Sequence, residues 1–343
     1  MRCVQIVAVG APLEAREVAL PEPGPDEIRV RIEAAGICHS DVHYRAGTAS
    51  IARVPITPGH EIAGRVDALG AGVDGLTEGA RVALHYLVSC GRCDYCARGL
   101  EQFCRRGRML GKHLDGGYAQ YVVAPARNAV PIPDTVATAA AAIMMCSSST
   151  ALHALRKART SAGDRVAVFG AGGLGMSAVQ LARAFGALEV YAIDIDASKL
   201  AAAARHGAIP IDPAAGAPAQ QLRERTAGHG VDVALEFAGL PATQQQAVAS
   251  LAVHGRAALA GITRHSFAVD SFNDVINREA EIIGVSDHLH SELGTLMEFT
   301  RRGLLDLDSV ISEHIALDAD AINAQLDALA AQRASTRCVI TPG

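Results

Sequence analysis

Four cysteines are crowded into one short segment of the sequence. Cys90, Cys93 and Cys96 stand at two-residue intervals, and Cys104 follows after seven more residues. Four thiolates satisfy the tetrahedral coordination of Zn²⁺ completely and leave no position for a substrate. We therefore expect a structural zinc that fixes a lobe at about residues 89–105, which has too few apolar residues to fix itself. The alternatives are an iron–sulfur cluster, whose ferredoxin spacing differs, and thiols that bind no metal.

Further metal-binding residue types occur in three separated pieces of the chain. These pieces contain Cys38, the pair His60 and Glu61, and Cys146. Two thiolates and one imidazole can hold zinc with a fourth position open to water or substrate, and an open site can be catalytic. Taken singly, each residue is explained equally well as a buried core residue, and spacing alone does not join them.

A glycine-rich loop stands directly after a strand-like run and directly before a helical pattern. Gly170, Gly172 and Gly175 have the spacing of a dinucleotide-binding loop, with Gly173 and Leu174 between the last two. The first glycine permits a tight turn, the second lets the backbone approach a pyrophosphate, and the third lets helix and strand pack closely. The phosphates would rest at the helix N-terminus. A structural glycine turn is the alternative.

An acidic residue closes the next strand-like run. The carboxylate of Asp194 stands where it can bind both ribose hydroxyls of adenosine, and it would repel a 2′-phosphate. No arginine follows it directly. The sequence therefore favours NAD over NADP.

The elements that must position these residues differ between the two halves of the chain. Up to about residue 145, short β-like runs are broken by glycine and proline, whereas from about residue 160 strands alternate with alanine-rich helices. Strands joined by helical crossovers form a parallel sheet covered on both faces, so we expect a doubly wound second half. The strands predicted there are Arg165–Phe169, Glu189–Asp194, Ile209–Ile211, Val231–Phe237, Arg256–Ala260 and Glu281–Val285. A helix at 288–302 and strands at Val310–Ala316 and Arg337–Ile340 are expected to return to the first half.

Composition excludes several classes of protein. Of the 343 residues, 50% are hydrophobic and 20% are charged, which is typical of a globular α/β protein. The net charge is −5 and the basic residues are scattered, so neither a nucleic-acid face nor a membrane-surface patch is indicated. The longest apolar stretches, such as Ala137–Cys146, are too short to span a bilayer. With no leader pattern at the start and eight cysteines suited to metal binding, we expect a cytoplasmic protein.

A resemblance to a known family joins the separated pieces. Gly59-His60-Glu61 continuing to Gly64, with the four-cysteine segment and the glycine-rich loop behind it, resembles the zinc-containing medium-chain alcohol dehydrogenases along the whole chain. The resemblance implies an α/β fold, with a GroES-like β-rich catalytic domain plus a doubly wound Rossmann nucleotide-binding domain. We expect the bounds 1–148 for the catalytic domain, 149–286 for the NAD-binding domain and 287–343 for a C-terminal segment that returns to the catalytic domain.

The same resemblance implies the ligands of a catalytic zinc. Cys38, His60 and Cys146 would bind the ion, and Glu61 would lie behind it as a nearby or alternate ligand. Asp41 would orient His60 by a hydrogen bond.

Proton transfer and cofactor contacts are implied in the same way. Ser40 would bind the alcohol oxygen and His43 would form the far end of a proton relay; in isolation, a helix cap and an exposed loop residue are the simpler explanations. Zinc lowers the pKa of a bound alcohol, so the alcohol can lose its proton near neutral pH. Ser40 would pass that proton on toward His43. The implied cofactor contacts are His39 and Arg337 at the pyrophosphate, Thr150 near the nicotinamide and Lys199 beside the adenosine ribose.

The expected function is therefore the reversible oxidation of a primary or secondary alcohol with NAD, by an enzyme that holds one catalytic and one structural zinc. The chain has no tryptophan, and Gly47–Ser50 are small where many relatives carry a pocket indole, which favours a bulky, aromatic or cyclic substrate. His85 and Tyr86 stand where relatives place pocket aromatics.

The alternatives to this function are a non-enzymatic nucleotide-binding protein of the same fold, a polyol-type dehydrogenase and a zinc-free reductase. The resemblance also implies a homo-oligomer, with a tetramer favoured over a dimer.

Overall fold

The apolar and alternating runs of the sequence fold as strands, and the alanine-rich segments fold as helices. The computed structural model describes residues 1–331, 333 and 337–343. Its strands are β1 (Arg2–Gln5), β2 (Glu14–Glu17), β3 (Glu27–Gly36), β4 (Glu61–Leu69), β5 (Arg81–Leu84), β6 (Leu87–Val88), β7 (Arg108–Met109), β8 (Tyr121–Pro125), β9 (Ala129–Pro131), β10 (Arg165–Phe169), β11 (Glu189–Ile193), β12 (Ile209–Ile211), β13 (Val231–Glu236), β14 (Leu251–Leu259), β15 (Glu281–Gly284), β16 (Ile311–Ala316) and β17 (Arg337–Thr341). Its helices are α1 (His39–Ala46), α2 (Asp94–Ala97), α3 (Thr138–Ile143), α4 (Ser149–Lys157), α5 (Gly173–Ala184), α6 (Ala197–Arg205), α7 (Pro218–Arg225), α8 (Pro241–Ala249), α9 (His290–Arg301) and α10 (Ala319–Ala330).

The chain divides into two units, each with its own core. The first unit comprises Met1–Cys146, Leu289–Arg301 and Leu307–Gly343, and the second comprises Ser147–His288 and Arg302–Asp306. The predicted bounds of 1–148, 149–286 and 287–343 stay a prediction, because compactness in space does not by itself define a domain.

A mixed sheet forms the centre of the first unit. Its strand order is β16-β17-β3-β4-β5-β9, and β8 also pairs with β3. Strand β3 alternates buried and less buried residues over its first half, as expected of a strand with one face on a core. The C-terminal strand β17 runs antiparallel to β3, with Val339 opposite Gly36. The last strand of the chain therefore completes a sheet that begins near the N-terminus.

The second unit contains a six-stranded parallel sheet. Its order is β12-β11-β10-β13-β14-β15, so the strand order reverses between β10 and β13. Four of the five residues in β10 are fully buried, because helices cover both faces of a doubly wound sheet. The predicted doubly wound fold is thus confirmed. Strand β14 begins at Leu251, five residues before the predicted start, and the left-handed backbone of His254 (φ +58°) interrupts the alternation within it.

One helical stretch is longer than the sequence indicated. The expectation that apolar stretches such as Ala137–Cys146 are too short for a bilayer was wrong as to length, because the helix continues through the serines to Lys157. Thr138–Lys157 is long and apolar enough to cross a membrane by length and composition alone. However, 89% of its most apolar window is buried within the protein, which is typical of a core helix.

Candidate metal and cofactor sites

The N-terminus of α1 is built around one buried carboxylate. Cys38 is the N-cap residue of α1, and its backbone N–H donates to Asp41 Oδ2 at 3.0 Å. The Tyr118 hydroxyl donates to the same oxygen at 3.0 Å, and the Gly59 backbone N–H donates to Oδ1 at 3.3 Å. Asp41 Oδ1 also lies 3.7 Å from His60 Nδ1. Asp41 therefore fixes the two segments that carry Cys38 and His60. The 3.7 Å separation from His60 Nδ1 is longer than a hydrogen bond, so the orienting role of Asp41 toward His60 stays a prediction.

The backbone conformation at position 59 and the neighbouring Tyr118 ring explain why glycine precedes His60. The backbone of Gly59 is left-handed (φ +89°), and a Cβ atom there would collide with the Tyr118 ring. A residue other than glycine at position 59 would therefore suffer both backbone strain and a steric collision. Burial, then the Asp41 charge, raises the pKa of Tyr118 well above its usual value, so the hydroxyl stays a donor. Sequence reasoning missed Tyr118, and no local pattern marks it.

Four side chains that are far apart in the sequence converge in the first unit. The possible ligand atoms of Cys38, His60, Glu61 and Cys146 all lie within 4.8 Å of one another, and all four residues are buried. The two sulfur atoms are 3.9 Å apart. Zinc–sulfur bonds of about 2.3 Å in a tetrahedral site would separate two sulfurs by about 3.8 Å. Cys146 lies in a π-helical turn, Met144–Ser148, an irregularity that is frequent at functional positions.

The chemistry of this cluster fits a divalent metal. Among the residues that the structure describes, the buried Glu61 Oε1 has no hydrogen-bond partner, while Oε2 is paired with the guanidinium group of Arg337. The hydrogen bond with Cys146 holds the pKa of the Cys38 thiol well below its usual value, against the opposing effect of burial. With ionised thiols, the buried negative charge exceeds what Arg337 alone compensates, and buried charges need a partner or a metal. Two sulfurs, an imidazole and a carboxylate suit zinc.

Arg337 lies in a different environment from the one implied by the resemblance. Its side chain is only 6% exposed and is paired with the Glu61 carboxylate. Gly36 makes room for this pair, since a Cβ atom there would collide with Glu61 and lie 3.1 Å from Arg337 Nη2. The contact between Arg337 and a pyrophosphate stays a prediction.

The four-cysteine segment also forms a cluster. The sulfur atoms of its cysteines lie within 4.8 Å of one another, with Cys93 Sγ 3.5 Å from Cys96 Sγ and 3.9 Å from Cys104 Sγ. The backbone N–H of Cys90 points at Cys104 Sγ at 3.2 Å. Hydrogen bonds from the Arg92 backbone and then the Arg106 side chain lower the pKa of Cys90 to about 5. Burial raises the pKa of Cys104 to about 11, so the lowered pKa favours a thiolate at Cys90 in particular. The four converging sulfurs fit a closed, structural zinc site.

The two predicted relay residues lie three positions apart on α1, on neighbouring parts of its surface. Ser40 Oγ is 3.8 Å from Cys38 Sγ. His43 Nδ1 is 2.9 Å from the Thr48 hydroxyl, which also donates to the His43 backbone oxygen at 3.3 Å. Thr48 is a contact that sequence reasoning missed, although the left-handed Gly47 that ends α1 turns the chain back toward it.

The glycine-rich loop has the geometry that a dinucleotide requires. Gly170 follows β10 with φ +95°, and a Cβ atom on Gly175 would collide with the Gly170 carbonyl. A Cβ atom on Gly172 would meet nothing within 4 Å, so the space beside the loop is open. Helix α5 begins at Gly173, and Leu174 is half-buried behind the loop. Its first turn can therefore receive a phosphate.

Two carboxylates stand at the end of β11. Asp194 Oδ2 accepts from the Ala171 N–H at 2.8 Å, and Oδ1 accepts from the Asp196 N–H at 2.9 Å. Asp196 caps α6 through Ser198 and lies 4.0 Å from Lys199 Nζ. Sequence reasoning missed Asp196, although an aspartate before a helical run is a capping signal.

A buried carboxylate that sequence reasoning also missed lies at the end of β13. Glu236 Oε1 accepts from the Gly239 N–H at 2.8 Å and from the Thr243 hydroxyl at 2.7 Å. Its Oε2 is buried and has no hydrogen-bond partner in the described part of the chain, and burial raises the pKa of the group. The Gly261 N–H donates to the Glu236 backbone oxygen at 3.0 Å. Glu236 therefore ties together the loops that follow β13 and β14, at the sheet edge where ligands of such folds bind.

The structure shows where the other predicted contact residues lie, but it does not test their contacts with a cofactor or a substrate. His39 is exposed at the start of α1, with its ring 5.3 Å from that of His43. Thr150 is half-buried near the start of α4. His85 is buried after β5, its ring lies 5.3 Å from that of His290, and burial and then the His290 charge lower its pKa to about 3.

Comparison with known proteins assigns the class. Residues 24–134 match the alcohol dehydrogenase GroES-like domain, and residues 173–302 match the zinc-binding dehydrogenase family. An alcohol dehydrogenase of Geobacillus stearothermophilus is 35% identical over 306 residues, which cover 88% of this chain and 90% of that protein. The chain belongs to the zinc-containing medium-chain dehydrogenase family and is an oxidoreductase of the alcohol dehydrogenase type.

Solved structures agree with this assignment. One described as an NAD-dependent alcohol dehydrogenase matches with a TM-score of 0.93 and 32% identity, covering 100% of both chains. A zinc-binding dehydrogenase from Sinorhizobium meliloti 1021, solved with NADP bound, matches with a TM-score of 0.92 and 31% identity, covering 99% of both chains. The predicted fold, a GroES-like domain plus a Rossmann domain, is confirmed.

Proposed function

We propose that this protein is a zinc-dependent alcohol dehydrogenase that transfers hydride reversibly between an alcohol or carbonyl substrate and NAD. The convergence of Cys38, His60, Glu61 and Cys146 within 4.8 Å is the main support. A protein that only binds nucleotides needs neither this cluster nor a relay beside it.

The chain's own residues have separate tasks in this reaction. Cys38, His60 and Cys146 would hold the catalytic zinc, with Glu61 as an alternate ligand and Asp41 orienting the imidazole. A bound zinc supplies Lewis-acid chemistry, because it lowers the pKa of an alcohol or water ligand.

Ser40 and His43 would move the proton. The Ser40 hydroxyl accepts the proton of the alcohol and gives up its own toward His43, from which it exchanges with solvent. The hydrogen bond to Thr48 at 2.9 Å holds the His43 ring in one orientation for this transfer.

The second unit would hold NAD, which accepts the hydride. The loop Gly170–Gly175 would receive the pyrophosphate, and Asp194 would bind the ribose hydroxyls. The neighbouring carboxylate of Asp196 supports NAD over NADP. His39, Thr150, Lys199 and Arg337 are the further proposed contacts.

We propose a bulky secondary, aromatic or cyclic alcohol as the preferred substrate. The support is the complete absence of tryptophan and the small residues Gly47–Ser50. A neutral, buried imidazole at His85 would add a polar group without adding a charge.

A homo-oligomer, with a tetramer favoured, and a cytoplasmic location belong to the same proposal. Strand β15 is an edge of the parallel sheet, and Ile282 within it is 42% exposed. Phe272 and Ile276 just before it are 58% and 63% exposed. An exposed apolar edge strand is a template for pairing with a second copy.

The test is NADH formation, followed by absorbance, across primary, secondary and cyclic alcohols at matched NAD and NADP concentrations. We expect turnover with NAD and its loss in Cys146→Ala, while Cys3→Ala, a buried cysteine outside both clusters, stays active. Full activity in Cys146→Ala, or no turnover with any alcohol, would contradict the proposal.

A further inference from the structure

A cavity lies in the second unit, at the amino ends of β10, β13 and β14. It has a volume of about 470 Å³, and its charged lining residues are Arg165, Arg223, Arg278 and Asp232. Asp232 Oδ2 accepts a hydrogen bond from the Arg165 backbone N–H at 2.7 Å, so three cationic groups and one carboxylate face the cavity. Because these strands are parallel, it opens on the opposite sheet edge from the glycine-rich loop, which follows the carboxyl end of β10. Small-molecule sites commonly have volumes of about 300–1,000 Å³. Nothing in the proposed reaction uses this cavity.

Two of its arginines share the same backbone acceptors. Arg223 Nη2 donates to the Ala249 and Leu251 oxygens at 2.7 and 3.4 Å, and Arg278 Nη1 donates to the same two oxygens at 3.0 and 3.1 Å. The Ala249 carbonyl lies at the C-terminal end of α8, where the helix carries partial negative charge, and the Leu251 carbonyl lies at the start of β14. Two positive groups are therefore held side by side.

The positive charges are unequally compensated. Arg278 is paired with Asp274 at 3.2 Å, and Arg165 is paired with Glu189 at 3.0 Å. Within residues 1–331, 333 and 337–343, no carboxylate lies at ion-pair distance from Arg223. Burial and then the charge of Arg278 lower the pKa of Arg223, which agrees with crowding of like charges.

We propose that this cavity binds an organic phosphate monoester, with the phosphate between Arg223 and Arg278. A phosphate would supply the anionic partner that Arg223 lacks, and the planar guanidinium fork suits phosphate oxygens. The organic part would lie along Leu251–Val253, where Val253 is 64% exposed. Since the cavity and the glycine-rich loop lie at opposite sheet edges, such a ligand binds together with NAD and not in place of it.

Isothermal titration calorimetry on the zinc-loaded protein tests this site. The probes are glycerol 3-phosphate, inorganic phosphate and citrate at an ionic strength held constant with KCl, with and without saturating NAD. We expect glycerol 3-phosphate to bind most tightly and NAD to leave its affinity unchanged. Arg223→Gln should weaken binding about tenfold or more, whereas Arg225→Gln, an exposed arginine at the end of α7, should have little effect.

A second pair of variants keeps both arginines in place. Val253→Glu and Val253→Gln differ by one charge at an exposed position, so only the glutamate should weaken glycerol 3-phosphate binding, again about tenfold. The proposal is overturned by any of three results: displacement by NAD, binding no stronger than that of citrate, or equal effects within either pair of variants. If Arg223→Gln does not fold, the Val253 pair decides alone.

Discussion

Asp41 accepts hydrogen bonds from three separate parts of the first unit, the backbone of Cys38, the backbone of Gly59 and the Tyr118 hydroxyl. A carboxylate that is fully buried is stable only with such partners. The same bonds fix Cys38 and Gly59, the residue before His60, beside the proposed metal site. Local folding and the geometry of the proposed site therefore depend on one side chain.

Among single residues, we first predict the effect of Thr48→Val, which keeps the shape of the side chain and removes the hydroxyl beside His43. We expect kcat for alcohol oxidation to fall by roughly tenfold because the ring loses its orientation, with KM for NAD changed less than about twofold. Steady-state kinetics measures both constants. Thr77→Val, the same substitution at an exposed position outside the proposed pocket, is the control. An unchanged kcat in Thr48→Val would argue against the relay.

His85 leads to a prediction about pH. Its pKa in the folded protein is about 3, while an unperturbed histidine has a pKa of about 6.5. Between these values the unfolded chain takes up a proton that the folded chain does not, so the free energy of unfolding falls as pH falls, by up to about 1.4 kcal/mol per pH unit. His85→Asn removes this contribution.

Urea unfolding at several pH values between 7 and 4 measures the effect. The stability of the wild type relative to His85→Asn should decline steadily as pH is lowered, whereas the exposed His314→Asn should run parallel to the wild type. Parallel curves for His85→Asn would show that this imidazole is not held neutral by burial.

Elements were predictable where their signal is local. Strand β10 was predicted at its observed bounds because a run of apolar residues stands between turn residues. The π-helical turn at Cys146 and the bonds of Tyr118 to Asp41 were not predictable, because they depend on contacts between distant segments. The ligand set of the metal cluster came from family resemblance, since spacing alone did not join its three pieces.

The four-cysteine lobe leads to a prediction about an element. Neither α2 nor the turn Glu101–Phe103 contains a buried residue, so apolar packing contributes little to the lobe. We expect Cys104→Ala to lose the structural zinc and to be cut by trypsin near Arg98 at least about tenfold faster than the wild type. Cys3→Ala should be cut at the wild-type rate. Unchanged protection in Cys104→Ala would mean that the lobe does not need a metal.

At the level of the whole molecule, we predict that assembly depends on β15. Ile282→Pro removes a backbone N–H from an edge strand and should shift the sedimentation coefficient from that of an oligomer toward that of a monomer of 35.6 kDa. The control is Leu188→Ser, a substitution outside β15 at a position that is 60% exposed. An oligomer that survives Ile282→Pro would place the interface elsewhere.

The most direct measurement is the zinc content of the purified protein by mass spectrometry, in the wild type and in Cys146→Ala. We predict about two zinc ions per chain in the wild type and about one in Cys146→Ala, with the four-cysteine zinc retained and turnover lost. About one zinc in the wild type, or loss of both ions in Cys146→Ala, would contradict two independent sites.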